Sequence, residues 1–122
     1  MIHQKELSDK IIGIAIEVHK TLGNGYLEKV YENAMMLDFY QNRITAEQQV
    51  ALPVKYKNKI IGNYFADIVV DASIILELKT TTKILPIHEA QLLHYLKSTG
   101  LKTGYLLNFG SEKKLEFKRM VY

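Results

Sequence analysis

The sequence has no cysteine and only two prolines among its 122 residues. The absence of cysteine excludes disulfides, thiolate metal ligands and cysteine nucleophiles, which fits an intracellular protein. No apolar run approaches the roughly 20 residues that a membrane-spanning helix needs. The first residues also lack the pattern of a secretory signal peptide. We therefore expect a cytoplasmic protein with no membrane contact.

The rest of the composition is that of an ordinary globular chain, with 48% hydrophobic and 24% charged residues. A chain of this length can bury roughly two-thirds of its unfolded surface in one core, so we expect a single domain over residues 1–122. The net charge of +3 is compatible with a polyanionic partner but does not require one. Lysines cluster near the C-terminus and at Lys55, Lys57 and Lys59. Each cluster either contacts phosphate or only protects a sheet edge and keeps the protein soluble.

Hydrophobic periodicity and turn residues predict three helices and five strands. Gly23 and Gly25 suit the end of the first helix, Pro86 suits the first turn of the third, and Gly100 suits its end. The predicted helices cover residues 5–22, 27–41 and 86–98, and the predicted strands cover residues 44–56 with a break near Pro53, 59–70, 73–79, 103–109 and 115–121.

The third predicted helix lies between two predicted strands, residues 73–79 and 103–109. A strand, helix, strand unit of this kind normally joins parallel strands. The earlier strands follow one another through short turns and should pair as antiparallel hairpins. The sequence therefore predicts an α/β sandwich with a mixed β-sheet flanked by helices.

The turn Asp71-Ala72-Ser73 decides which residues of one predicted hairpin face each other. A three-residue loop makes one face of the hairpin entirely apolar and places Asp67 opposite Glu77, whereas a loop of two or four residues would put these two on opposite faces. The expected pairs are Val70–Ile74, Ile68–Leu76 and Ala66–Leu78 on the apolar face, and Val69–Ile75, Asp67–Glu77 and Phe65–Lys79 on the other.

Two carboxylates at directly opposed positions would lie about 4.5 to 5.5 Å apart and would repel each other. Lys79 could compensate this repulsion, and so could a divalent cation such as Mg²⁺, which prefers oxygen ligands. The alternative is that the three charged side chains are simply solvated. The apolar neighbours Phe65, Val69 and Ile75 favour a functional cluster, because charges on a largely apolar face are usually paired or functional.

Polar residues of the third predicted helix could complete such a site. His88, Gln91 and Tyr95 fall at positions i, i+3 and i+7 and therefore share one stripe of the helix. Gln91 and Tyr95 either hydrogen-bond locally or point toward a metal and a phosphate. His88 could be a surface residue, a residue close to the metal or a proton carrier.

The first two predicted helices carry further candidates. Glu28, Tyr31 and Glu32 share one face of the second helix, where Glu28 also stabilises the helix dipole and Glu32 is expected to be exposed. We interpret His19, on an apolar face of the first helix, as a core or interface histidine rather than a ligand. The first helix has so little polar face that it could also dock a partner or a second copy.

Five separated segments together resemble a known protein family. The run from Leu22 to Glu32 resembles the defining motif of the GxxExxY family, with Gly25, Glu28 and Tyr31 at its named positions. Four later segments resemble the same family in the same order, so the resemblance covers nearly the whole chain. These segments are Tyr64-Phe65-Ala66-Asp67, Leu76-Glu77-Leu78-Lys79, the helix segment from His88 to Lys97, and Leu106-Leu107-Asn108-Phe109-Gly110.

That family is placed in the PD-(D/E)XK nuclease superfamily and is similar in pattern to RecB-type nucleases. The resemblance implies a restriction-endonuclease-like fold and a site that binds Mg²⁺ or Mn²⁺. It implies that Lys79 orients or activates the attacking water and stabilises negative charge. The implied metal ligands are Glu28, Asp67, Glu77 and the Leu78 carbonyl, and the implied catalytic residues are Lys79, Asp67, Glu77, Gln91 and Tyr95.

The function implied by the resemblance is metal-dependent hydrolysis of phosphodiester bonds in nucleic acid, with DNA favoured over RNA. The alternative is a non-catalytic or partner-dependent module that binds nucleic acid or protein and retains the nuclease fold. We expect no separate recognition domain in so short a chain, so specificity would come from a protein partner, from a homodimer or from a very small footprint on the substrate. We also find no base-reading element and expect recognition of backbone and shape.

Overall fold

The computed structural model describes residues 4–122, which form three helices and five strands. The predicted elements are all present, with ends that differ by at most two residues. In chain order the elements are α1 (Gln4–Leu22), α2 (Glu28–Gln41), β1 (Ala46–Tyr56), β2 (Lys59–Val70), β3 (Ile74–Lys79), α3 (Pro86–Thr99), β4 (Thr103–Asn108) and β5 (Glu116–Val121).

The five strands form one mixed sheet in the order β1-β2-β3-β4-β5. β3 and β4 are parallel and are connected by α3, whereas the other neighbours are antiparallel, as predicted. The predicted break near Pro53 is wrong, because β1 continues through Pro53, which pairs with Asn63. β1 is an edge strand, and an edge strand tolerates proline because one side of its backbone needs no partner.

The sheet separates two apolar clusters. One lies between the sheet and the layer of α1 and α2, and the other lies between the opposite face and α3. In β4 the buried Leu106 and Leu107 point to different clusters, as expected from the alternation of side chains along a strand. The protein is therefore a three-layer α/β/α sandwich.

β1 and β2 change faces midway along their length. Tyr64 and Ala66 belong to the cluster below α3, but the even-numbered Ile68 and Val70 belong to the cluster below α1 and α2. The change occurs at Asp67. Gln49 lies opposite Asp67 on β1 and has a left-handed backbone with φ of 50°. A residue in this conformation interrupts the regular alternation of a strand.

The hairpin of β2 and β3 is consequently shorter than predicted. The expected pairs of Ile68, Val69 and Val70 with β3 are confirmed, but pairing ends at Ile68–Leu76. The other three predicted pairs are wrong because the strands separate from Asp67 onward. The pairs that do not form are Ala66–Leu78, Asp67–Glu77 and Phe65–Lys79.

α1 and α2 differ in how far their apolar residues are buried. In α2, the apolar side chains of Val30 and Leu37 are exposed. The apolar residues of α1 are largely used within the chain, since Ile12 and Ile14 pack against the core. No helix within residues 4–122 is both long enough and apolar enough to span a membrane.

Candidate active site

Asp67 and Glu77 occupy the opening where β2 and β3 separate. The Asp67 amide donates to Oε2 of Glu77 over 3.1 Å, and the Leu78 amide donates to Oδ2 of Asp67 over 2.8 Å. Each carboxylate therefore binds the backbone of the opposite strand in place of the missing ladder bonds. The sequence analysis correctly predicted that Asp67 and Glu77 are neighbours. Hydrogen bonds from the backbone to their side chains join the two strands here, and not the predicted direct pairing.

Burial and neighbouring negative charges change the acidity of this pair. Burial, followed by the charge of Asp67, raises the pKa of Glu77 to about 7. Burial also raises the pKa of Asp67, while the hydrogen bond from the Leu78 amide opposes this increase. Lys79 lies close enough to lower both pKa values. The pair is therefore an electrostatically unfavourable arrangement that a positive charge stabilises.

Glu28 reaches the same site from the first turn of α2. Partial removal from water raises the pKa of Glu28, the charge of Asp67 raises it further, and Lys79 lowers it. These interactions place Glu28 near both residues, although its side chain is exposed. The structure therefore places Glu28 close to Asp67 and Lys79, and Asp67 beside Glu77.

Tyr31 fixes the loop that precedes Glu28. Its hydroxyl donates to the Gly23 carbonyl over 2.6 Å and accepts from the Tyr26 amide over 3.2 Å. Its buried ring stacks on Phe109 with centroids 4.6 Å apart, and the Phe109 amide donates to the Lys79 carbonyl. Tyr31 thus connects the loop before α2 to the strand end that carries Lys79.

Glu32 is buried, and the expectation that it is exposed is wrong. Its carboxylate accepts hydrogen bonds from Gln48 over 2.6 Å and from Gln49 over 2.9 Å, and it pairs with Lys29 over 2.9 Å. Gln49 also reaches Asp67 over 3.5 Å. A polar network from α2 therefore supports the change of face in β1 and β2, and sequence periodicity gave no signal of it.

Two tyrosines close the site on the side of α3. Tyr64 and Tyr95 stack with their ring centroids 3.4 Å apart. The charge of Glu77 raises the pKa of both hydroxyls in addition to burial. Tyr64 is only 9% exposed, and its hydroxyl lies close enough to Glu77 to lower the pKa of that carboxyl, although no hydrogen bond of good geometry joins the hydroxyl to an acceptor within residues 4–122. The sequence analysis missed Tyr64, because regular alternation would not have directed it toward Glu77.

The remaining predicted residues of α3 have different positions. His88 lies partly buried near Lys79, which together with burial lowers its pKa. Its Nδ1 accepts from the Leu85 amide at the start of the helix. Gln91 is exposed one turn before Tyr95, and nothing in the geometry connects it to the carboxylates. The stripe predicted on α3 therefore reaches the site through His88 and Tyr95.

His19 belongs to the core rather than to the site. It is buried, and its Nε2 lies 2.7 Å from the Ser111 carbonyl. Its ring also contacts Phe109 at a centroid distance of 6.3 Å. These contacts agree with the interpretation of His19 as a satisfied core histidine.

The donor atoms of the site fit a hard divalent cation, although they are not arranged around one. Within residues 4–122, no three His, Asp or Glu side chains come close enough together to hold a metal ion. One oxygen each of Asp67 and Glu77 accepts a backbone amide instead. Carboxylate oxygens are the ligands that Mg²⁺ and Mn²⁺ prefer, and a cation would stabilise the charged forms of Asp67 and Glu77 that burial disfavours.

Comparison with known proteins supports the fold. No curated protein matches the chain. The crystal structure of SSO0001 matches with a TM-score of 0.58 and 22% identity, covering 76% of this chain and 48% of SSO0001, so the chain spans about half the length of that protein. An alkaline exonuclease from Laribacter hongkongensis matches with a TM-score of 0.54 and 9% identity, covering 99% of this chain and 72% of the exonuclease. At these identities the similarity shows the fold alone.

The sequence itself matches a family model. The model of the PD-(D/E)XK nuclease superfamily covers residues 5–120, which is nearly the whole chain. The mixed sheet with helices on both faces confirms the predicted restriction-endonuclease-like fold. The chain therefore belongs to the PD-(D/E)XK nuclease superfamily.

Proposed function

We propose that this protein is a metal-dependent nuclease that hydrolyses phosphodiester bonds in nucleic acid, with DNA preferred to RNA. The observation that carries the proposal is the cluster of Asp67, Glu77 and Lys79 at the opening between β2 and β3. Membership in the superfamily supports the same reaction class. The proposed domain covers residues 1–122.

We propose that the site binds Mg²⁺ or Mn²⁺ through Glu28, Asp67, Glu77 and the Leu78 carbonyl. When bound, such an ion supplies a water of lowered pKa and polarises the scissile phosphate. The strand backbone orients the two central carboxylates, since the Leu78 amide binds Asp67 and the Asp67 amide binds Glu77. The second oxygen of Glu77 is not used in these bonds and can face the cleft.

Lys79 supplies a fixed positive charge beside these carboxylates. In the proposed reaction it orients the attacking water and stabilises the negative charge that develops on the phosphate. Tyr95 and Gln91 are proposed to support the site or to position the phosphate. For Tyr95 the support is its contact with Tyr64 and its interaction with Glu77.

The narrower family and the cellular setting remain part of the proposal. We propose membership in the GxxExxY family on the residues Gly25, Glu28 and Tyr31. Their structural relation supports this, because Tyr31 fixes the loop that contains Gly25 and precedes Glu28. A cytoplasmic location, a homodimer and a protein partner that supplies specificity stay predictions.

Cleavage assays test the proposed activity. Linear, circular and branched DNA and RNA would be incubated with the protein and Mg²⁺ or Mn²⁺, with a chelator as the metal-free comparison. Lys79→Ala should lower the cleavage rate at least 100-fold, which is about the loss seen when one stabilising charge or donor is removed. Lys83→Ala, at a nearby exposed position, is the matched control and should cleave normally.

The outcomes separate the two candidate functions. Metal-dependent cleavage that Lys79→Ala abolishes would establish the nuclease and identify its substrate. No cleavage of any substrate would favour the partner-dependent or non-catalytic module instead. Equal activity of the wild-type protein and Lys79→Ala would contradict the assigned site and would point to a contaminating enzyme.

A further inference from the structure

The β1–β2 hairpin extends far beyond the rest of the sheet. The two strands pair along their whole lengths, whereas β3 pairs with β2 only at Ile68, Val69 and Val70. Residues 50–65, termed the arm from here on, therefore have no strand partner on the β3 side. At about 3.3 Å per residue, the turn of the arm lies roughly 30 Å from Asp67.

The arm carries charge of one sign. Lys55, Lys57 and Lys59 are exposed near its turn, and residues 50–65 contain no aspartate or glutamate. Lys57 and Asn58 form the turn with φ values of 50° and 63°, which suits a tight two-residue hairpin. The tight turn keeps the three ammonium groups together at the end of the arm.

One face of the arm is covered and the other is open. Val50, Leu52 and Val54 pack into the cluster below α3. Strand alternation places Phe65 on the opposite face, where it is 54% exposed only two residues from Asp67. The open face therefore leads from the candidate active site to Lys59. Lys55 pairs with Ile60, next to the Tyr56–Lys59 pair, and so lies on the opposite face of the arm.

Edge protection alone does not account for this pattern. Lysines on an edge strand do discourage pairing with other chains. The other edge strand, β5, mixes Glu116 with Lys118 and Arg119, and Lys118 pairs with Glu89 over 2.9 Å. The arm has three lysines with no acidic neighbour and an exposed aromatic ring, which together fit a polyanion that also presents apolar surface.

We propose that the arm binds the backbone of a nucleic-acid duplex and that Lys55, Lys57 and Lys59 contact phosphates remote from the cleaved bond. This inference rests on the proposed nuclease function. A distance of roughly 30 Å corresponds to about nine base pairs at 3.4 Å each. A duplex is stiff over this length and holds its remote phosphates at a fixed distance, whereas a single strand does not.

Salt-dependent binding tests the arm. A labelled DNA duplex of about 20 base pairs would be titrated by fluorescence anisotropy in a chelator, so that no cleavage occurs, at several salt concentrations. The triple variant Lys55→Gln, Lys57→Gln, Lys59→Gln should bind on the order of 10- to 100-fold more weakly at about 0.1 M salt. The slope of log affinity against log salt should fall by about 0.9 for each phosphate contact that is lost.

A second triple variant controls for net charge. Lys10→Gln, Lys20→Gln, Lys113→Gln removes the same charge from exposed positions outside the arm. It should keep most of the affinity and most of the salt slope. Equal losses in the two triple variants, or no loss in the arm variant, would overturn the proposal. A larger loss for a single strand than for the duplex would overturn the assignment to duplex.

The experiment also separates this proposal from the nuclease itself. Binding that depends on the arm, without cleavage of any substrate, would support the arm and contradict the enzyme. Cleavage that does not depend on the arm would support the enzyme and contradict the role of the arm. If the triple variant melts at a lower temperature than the wild-type protein, the single variants Lys55→Gln and Lys59→Gln decide the question. Both positions lie outside the two-residue turn. Each variant should lower the slope of log affinity against log salt by about 0.9.

Discussion

Glu77 is the carboxylate whose acidity the fold changes most clearly, since its pKa is raised to about 7 by burial and by Asp67. The folded protein then binds a proton at Glu77 more tightly than the unfolded chain does. Without metal, this contribution favours folding at low pH and is lost as pH rises from the ordinary glutamate pKa of 4.5 toward about 7. A divalent cation at the site would replace the proton and restore stability at neutral pH.

We predict that Glu77→Gln removes this pH dependence. In a chelator, the wild-type protein should lose about 1 to 3 kcal/mol of its free energy of unfolding between pH 5 and pH 8 through Glu77. The variant should lose correspondingly less, and Mg²⁺ should stabilise it less than the wild-type protein. Urea denaturation at the two pH values measures both effects. The same pH loss in both proteins would show that Glu77 is not the responsible group.

Tyr64→Phe should change stability and activity in opposite directions. Phenylalanine keeps the stack on Tyr95 but removes a buried hydroxyl that has no hydrogen-bond acceptor within residues 4–122. Removal of such a group should raise the free energy of unfolding by about 1 kcal/mol. If the hydroxyl serves Glu77 or its water, cleavage should fall about tenfold. Thermal melting and cleavage rates measure the two effects, and Tyr95→Phe, at a more exposed hydroxyl, is the comparison.

At the scale of elements, α2 and the end of β3 are connected through Tyr31. Tyr31→Phe should retain the stack on Phe109 but release the loop that Tyr31 binds at Gly23 and Tyr26. We expect a loss of stability of about 1 kcal/mol per hydrogen bond and a weaker metal affinity, because Glu28 follows this loop. Calorimetric titration with Mn²⁺ measures the affinity. A weaker stability with unchanged Mn²⁺ affinity would limit Tyr31 to a structural role.

The segment after β3 passes very close to Gly110. A Cβ at Gly110 would collide with the backbone of Thr80 and Thr81, whereas a Cβ at Gly13 in α1 would meet open space. We predict that Gly110→Ala destabilises the protein by about 1 to 3 kcal/mol, because backbone atoms cannot move aside as a flexible side chain can. Gly13→Ala should stabilise it by about 0.5 to 1 kcal/mol through helix propensity. Chemical denaturation of the pair tests this, and equal stability of the two variants would contradict it.

The elements and most of the site could be predicted because they depend on local patterns. The turn Asp71-Ala72-Ser73 set the register of the three pairs that form, and Pro86 and Gly100 marked the limits of α3. The strand spacing also selected Asp67 and Glu77 as neighbours. Each of these signals depends on residues that are close together in the sequence, so the sequence alone is enough to show it.

The parts that could not be predicted depend on contacts between distant residues. The change of face at Asp67 needs the left-handed backbone of Gln49. The side chain of Gln49 donates a hydrogen bond to Glu32, which lies in α2. The burial of Glu32 follows from the same bonds, and without the change of face Tyr64 would not approach Glu77. Periodicity within one element carries no information on such bonds.

At the scale of the whole molecule, the site draws residues from all three layers of the sandwich. Glu28 comes from the layer of α1 and α2, Asp67 and Glu77 come from the sheet, and Tyr95 comes from α3. The layers can meet only because β2 and β3 separate, since a continuous sheet would keep the helices of opposite faces apart. The shortened β2–β3 ladder is therefore a condition for the site, and a bound metal would join α2 to the sheet.

The outer face of α2 gives the predicted homodimer a specific surface. Val30, Leu37 and Tyr40 lie within one stripe of the helix, and Leu37 and Tyr40 are 57% and 82% exposed. Burial of this stripe against a second copy would remove apolar surface from water, a role that the sequence analysis had assigned to α1. Leu37→Lys should therefore be a monomer with unchanged thermal stability, because the residue contributes little to the core.

Sedimentation velocity over a range of protein concentrations tests this surface. The wild-type protein should shift toward a dimer as its concentration rises, while Leu37→Lys should sediment as a monomer throughout. Ile61→Lys, at an exposed apolar position of the arm, is the control and should behave as the wild-type protein does. A wild-type monomer at every concentration would exclude the homodimer, and a dimer that persists in Leu37→Lys would place the interface elsewhere. In the first case, a duplex could be cut on both strands only by two separate encounters, because each chain has a single cluster of Asp67, Glu77 and Lys79.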